Sequence, residues 1–143
     1  MRVTQPISAS AAQMYDAFMS AEALAAWLPP SGMRAEMHDF DSARGYRMTL
    51  RYTGDGQGKT TADSDTVDVK YVDLVPNARI VQAIEFESDD PAFAGTMTMT
   101  WSFRDGEVTV EVENAPRGIS DEEHERGIRS SLDGLAKFVT RSR

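Results

Sequence analysis

Cysteine is absent from the sequence. This excludes disulfides, thiol nucleophiles and thiolate metal sites, and leaves stability to core packing. The same absence suits a reducing compartment, and a cytoplasmic location is expected. Histidine is nearly absent too. His38 lies in a strand-like segment and His124 in the first turn of a helix-like one, with no metal-ligand spacing between them. His124-Glu125 opens like an H-E-x-x-H zinc motif, but Ile128 stands where the second ligand belongs. No metal and no cofactor is therefore expected. Long apolar runs are missing: the longest, Ala23 to Leu28, is far too short to span a bilayer, and the first ten residues lack the apolar centre of a signal peptide. Positive charge is scarce, with 15 Lys and Arg against 23 Asp and Glu, a net charge of -8 and a pI near 4.7. Such a surface repels phosphate backbones and anionic membranes, so neither nucleic acid nor membrane insertion is expected. No serine sits in a nucleophile-elbow context and no pairing fixes a general base, so no reaction is assigned and a non-catalytic role is favoured.

What is present is periodicity. The 143 residues suit a single domain, 1–143, large enough to bury a core. Its last stretch, Ser120 to Arg143, predicts one long amphipathic helix. Ser120 followed by Asp121, Glu122 and Glu123 is a capping-box pattern with acid at the positive end of the helix dipole. Ile128, Leu132, Leu135 and Val139 then line one face, and Arg141 and Arg143 suit the other end of the dipole. A parallel stripe of Gly127, Ser131, Gly134 and Phe138 contains two glycines, each costing about 1 kcal/mol in a helix relative to alanine. Either close packing or room for a ligand accounts for that missing volume.

Ahead of this helix, Arg2 to Ile7 predicts a strand ending near Pro6. Two short helices follow, one capped by Ser8 or Ser10 and one over Ala21 to Leu28, stopped by Pro29-Pro30. From Met33 the period becomes two. Tyr46, Met48, Leu50 and Tyr52 alternate with polar residues, as do Val67, Val69 and Tyr71, then Ile80, Gln82, Ile84 and Phe86. Met97, Met99, Trp101 and Phe103 face opposite to a row of Thr and Ser, and Asp105-Gly106 predicts a two-residue hairpin into Val108, Val110 and Val112. Gly54 to Ser64 predicts a hairpin loop, while Asp63 with Asp65 and Asp89 with Asp90 read as solvated turns. Arg47, Arg51 and Glu85 form a candidate polar cluster. The fold class is α+β: a curved antiparallel sheet of about six or seven strands wrapped around a long C-terminal helix, with two short helices after the first strand.

Three stretches carry a family resemblance: Ala17 to Pro30 (AFMSAEALAAWLPP), Val72 to Val81 (VDLVPNARIV), and Gly127 to Leu135 on the last helix. With these the chain resembles the START-like SRPBCC superfamily, helix-grip proteins, in the branch of the activator of heat-shock protein 90 ATPase homologues. These are packing and turn signatures, so they transfer no reaction. The resemblance implies a cavity between the sheet and the last helix that takes a small apolar or amphipathic molecule, such as a lipid. It implies as its lining Trp27, Met37, Phe40, Tyr46, Met48, Tyr71, Met97, Met99, Trp101, Ser131, Gly134 and Leu135. Relatives often carry an aromatic after the glycine matching Gly127; Ile128 stands here instead and reshapes the groove.

Each of these positions also has a plainer reading. A methionine stripe at strand spacing makes good core, although thioethers also make adaptable pockets. Tyrosines near strand ends reach solvent, although a buried phenol needs a hydrogen-bond partner. The leading expectation is ligand binding without chemistry. The alternative is a protein-partner or stress-response, cochaperone-like module, and the third is a cyclase or hydratase by analogy of fold alone. A homodimer is compatible with a small domain of this kind.

Overall fold

A computed structural model describes residues 1–53 and 64–141. Its elements run β1 (Arg2–Pro6), α1 (Ala11–Asp16), α2 (Ala21–Trp27), β2 (Met33–Asp41), β3 (Gly45–Tyr52), β4 (Ser64–Val75), β5 (Arg79–Phe86), a 3₁₀ turn (Pro91–Phe93), β6 (Met97–Arg104), β7 (Glu107–Glu113) and α3 (Asp121–Arg141). The loop expected over Gly54 to Ser64 lies outside the described residues except for Ser64, which starts β4. The helix-end roles expected of Arg141 and Arg143 lie outside the described side chains.

The described strands form one curved antiparallel sheet in the order β1-β7-β6-β5-β4-β3-β2, so consecutive strands from β2 to β7 are neighbours and β1 forms the far edge against β7. This is the α+β helix-grip arrangement that the alternating pattern predicts. Inward and outward positions separate as period two demands: on β6, Met97, Met99, Trp101 and Phe103 are all buried while the residues between them are not. The Asp105-Gly106 hairpin carries Gly106 at φ 85, and the Asp105 carboxylate accepts a hydrogen bond from the Ala11 amide at 2.9 Å, which ties the turn to the start of α1. Ser10 is the cap of α1, in a full capping box with Gln13, and Ser20 caps α2.

α3 lies across the inward face. Ser120 accepts the Glu123 amide at 3.1 Å, and the Glu123 carboxylate accepts the Ser120 hydroxyl at 3.3 Å. The buried Ile128, Leu132, Leu135 and Val139 face the sheet, with Leu132 and Leu135 fully enclosed, each worth about 1.5–3 kcal/mol of apolar burial. The small-residue stripe meets the end of α2. Gly134 sits against the Trp27 carbonyl, closer than a Cβ would permit. One turn earlier the Ser131 hydroxyl donates to the Leu28 carbonyl at 2.6 Å, and Ser130 accepts the Ser31 amide at 2.7 Å. Close packing is thus the answer at Gly134. Gly127 is the opposite case, since a Cβ there meets nothing within 4 Å among the described residues.

One substitution at two positions separates these roles. Gly134→Ala is expected to destabilise the fold by about 1–3 kcal/mol through overpacking. Gly127→Ala is expected to stabilise it by up to about 1 kcal/mol through helix propensity. Urea unfolding midpoints of both variants against the unchanged chain check the opposite signs.

Candidate functional site

The inward face of β3 to β6 is wider than α3 can cover, and a cavity of about 540 Å³ remains beneath the N-terminal half of the helix. Tyr46 and Met48 of β3, Val67 and Val69 of β4, Ile84 and Phe86 of β5, and Met97, Met99 and Trp101 of β6 form its floor. Ile119, Gly127, Ile128 and Ser131 form its roof, and Leu28, Pro30 and Met33 its side. Exposed Arg126 and half-buried Glu123 and His124 mark its outer end.

Few polar groups interrupt this surface. Gln82 lies 3% exposed among the floor strands. The Trp101 Nε1–H donates to its Oε1 at 2.9 Å, and its Nε2 donates to the Tyr46 hydroxyl at 3.5 Å. An indole N–H can only donate, so it fixes the amide with its oxygen toward Trp101 and its NH₂ toward Tyr46. Burial pushes the Tyr46 phenol well above its ordinary range, which keeps it a neutral donor. Asp65 also lines the cavity and is 5% exposed on β4, correcting its reading as part of a solvated turn; Asp63 lies outside the described residues. His124 has a buried Nδ1 with no hydrogen-bond partner among the described residues, and burial lowers its pKa from 6.5. Among the described residues, no group of three or more His, Asp and Glu is placed to hold a metal ion.

The sequence profile of the family described as activator of Hsp90 ATPase homolog 1-like protein matches residues 8–140. The chain belongs to this family. It is an AHSA1-like member of the SRPBCC superfamily, a group with ligand-binding or cochaperone-like roles. Among solved structures it is similar to a protein of Chromobacterium violaceum, 30% identical over 97% of this chain and 95% of that one, with a TM-score of 0.83. An AHSA1 protein of Silicibacter pomeroyi shares the fold at 17% identity, covering 100% of this chain and 99% of the other at a TM-score of 0.77. A Staphylococcus epidermidis protein shares it at 19% identity, 100% and 90% coverage, and a TM-score of 0.72. No curated protein matches the chain.

Of the residues that the AHSA1-like resemblance implies as lining, the structure brings Tyr46, Met48, Met97, Met99, Trp101 and Ser131 to the cavity. It places the others around it. Trp27 is core: its Nε1–H donates to the Ala17 carbonyl at 2.8 Å and its ring packs edge-on against Phe18 and Trp101. Leu135 is fully buried beyond the cavity, and Gly134 is closed by Trp27. Met37 and Phe40 sit on β2, the outermost strand, where Met37 pairs with Met48 and Phe40 stacks on Tyr46. Tyr71 is half-buried beside Tyr46, its hydroxyl without a partner among the described residues, and burial raises its pKa. Ile128, the departure from the family pattern, does line the cavity.

Of the candidate polar cluster, Arg47 and Glu85 stand on either side of Asp68 in one cross-strand row, and Arg51 stands apart. Arg47 pairs with Asp68 and Glu87, Arg51 with Glu36, and Glu85 accepts from Thr96, all away from the cavity lining. Gln82 and Asp65 are what the sequence reading missed. Their signal was parity: each stands in phase with an inward apolar stripe, Gln82 between Ile80 and Ile84, and Asp65 two residues before Val67.

His124 makes the stability of the domain depend on pH. Its folded pKa lies below the unfolded value of 6.5, so the unfolded chain binds the proton more tightly. The contribution is fully present above 6.5 and is lost as pH falls from there through the folded pKa. Urea midpoints measured between pH 8 and pH 5 are expected to decline less in His124→Gln than in the unchanged chain; parallel declines would refute the assignment.

Proposed function

We propose that this domain binds a small apolar or amphipathic molecule in the cavity between its sheet and α3, without chemistry on it. The observation that carries the reading is a cavity of about 540 Å³ with a methionine and aromatic lining. Ligand sites of ordinary size run from about 300 to about 1,000 Å³, with apolar walls and a few placed polar groups. Met48, Met97 and Met99 supply walls that adapt to shape. Gly127 supports the same reading. A helix loses stability by keeping glycine at a position where no neighbour requires it, and here the missing side chain opens directly onto the cavity.

The net charge of -8 supports a neutral small molecule over a polyanionic partner, and the absence of cysteine supports the cytoplasm as its location. Among the described residues no helix is long and apolar enough to cross a membrane.

Native mass spectrometry of the gently purified protein tests the proposal. A discrete mass that leaves on unfolding is expected, and its identity names the ligand class. Gly127→Phe, which pushes a ring into the cavity, is expected to abolish that mass while circular dichroism stays native. A chain that is bare when isolated and takes up no hydrophobic probe would overturn the reading in favour of a partner-binding module, and the same spectrum reports whether the domain is a monomer or a dimer.

A further inference from the structure

At the Gln82 and Tyr46 position of the cavity floor each of the two oxygens already accepts one hydrogen bond, while donors remain without acceptors. Trp101 spends its single donor on Gln82 Oε1, and Gln82 Nε2 offers one of its two N–H groups to the Tyr46 oxygen across 3.5 Å. Two donors remain, the second N–H of Gln82 and the O–H of Tyr46, and neither has an acceptor among the described residues. Both residues lie within the cavity lining, at 3% and 6% exposure, where an unmade hydrogen bond costs about 1–3 kcal/mol. Tyr71 and Gln82 are cross-strand partners, but the Tyr71 hydroxyl bonds to neither donor.

The charges sit elsewhere. Along β4, Asp65 is four residues from Val69, the partner of Tyr46, a separation of about 13 Å. Along α3, Glu123 is eight residues from Ser131, about 12 Å. Asp65 is thus set apart along β4 from the Tyr46 and Gln82 donors, and Glu123 lies toward the N-terminus of α3, at the outer end of the cavity. The described lining contains a single cation, the exposed Arg126, at that same outer end. A carboxylate or phosphate buried at the floor would have no counter-charge there, and burying an unpaired anion is far costlier than burying a neutral acceptor.

We propose that the ligand enters with a neutral carbonyl oxygen leading, and that Tyr46 O–H and Gln82 Nε2 donate to that oxygen at the cavity floor, Trp101 holding the Gln82 amide in the donating orientation. This inference rests on the cavity reading above and adds the chemical class of the buried end: a ketone, aldehyde, ester or amide. Tyr46 and Gln82 are binding residues, and no bond is made or broken.

The test uses the full chain and three probes of matched shape, acetylnaphthalene, ethylnaphthalene and naphthoate, in equilibrium dialysis. The ketone and the hydrocarbon are expected to bind and the carboxylate to bind at least tenfold more weakly than the ketone. Tyr46→Phe is expected to weaken the ketone about tenfold and to leave the hydrocarbon within twofold. A variant that weakens both alike, or neither, overturns the carbonyl assignment while the cavity reading stands. Failure of the ketone and the hydrocarbon alike to bind the unchanged chain overturns the cavity reading and this inference with it. Independently of any variant, the carbonyl stretch of the bound ketone, read by infrared difference, is expected below its value in hexane; an unshifted band overturns the assignment even if Tyr46→Phe does not fold.

Discussion

The seating of α3 on the end of α2 is the constraint on which the rest of the molecule depends. Gly134 rests against the Trp27 carbonyl, and Ser131 and Ser130 hold the Leu28 carbonyl and the Ser31 amide. These contacts set the height of the helix above the sheet at one point along its length. Beyond that point, toward the C-terminus, Leu132, Leu135 and Val139 pack without space into the common core. Before it, the same rigid rod passes over a sheet that β2 to β5 continue to widen, and no side chain from Gly127 fills the interval. The cavity is therefore a geometric result of a helix pinned at one place over a curved sheet.

The pin also explains why a polar group is tolerated underneath. Trp27 and Trp101 meet edge to face with ring centroids 5.9 Å apart, so the residue that anchors the helix also positions the indole that orients Gln82. Each member of the chain from Trp27 through Trp101 and Gln82 to Tyr46 is buried. A fully satisfied core would close this network on itself, whereas this one ends on groups that still have hydrogens to give.

Much of the architecture was legible because period and punctuation agree. Strict alternation on Met97 to Phe103, the Asp105-Gly106 turn and the four-three-four spacing of Ile128 to Val139 each admit one element type, and a sheet with one apolar face has one long helix to bury it. The site was less legible. Tyr46, Met48, Met97, Met99, Trp101 and Ser131 line the cavity, yet nothing local distinguishes them from Trp27 or Leu135, which share their pattern and fill core. The difference is set by how far each lies from the point where α3 touches α2, a tertiary distance that no spacing encodes. Asp65 was misread for a related reason: an acid beside a glycine-rich stretch looks solvated until the strand's inward phase is extended back to include it.

The closing of the sheet by β1 has a consequence for how the chain reaches this state. Arg2 pairs with Glu111 and Pro6 with Glu107, so the first strand to be synthesised docks on nearly the last. Topologies dominated by such distant pairings acquire their final contacts slowly, over milliseconds to seconds. Throughout that interval β7 is an open edge able to recruit a foreign strand. The charges along it, Glu107, Glu111 and Glu113, alternate with the apolar valines and repel a second copy of the same edge. In the finished sheet Arg2 reaches Glu111 at 3.7 Å. The acidic row thus disfavours pairing with a second copy of the same edge and matches the cation that the first strand brings to it.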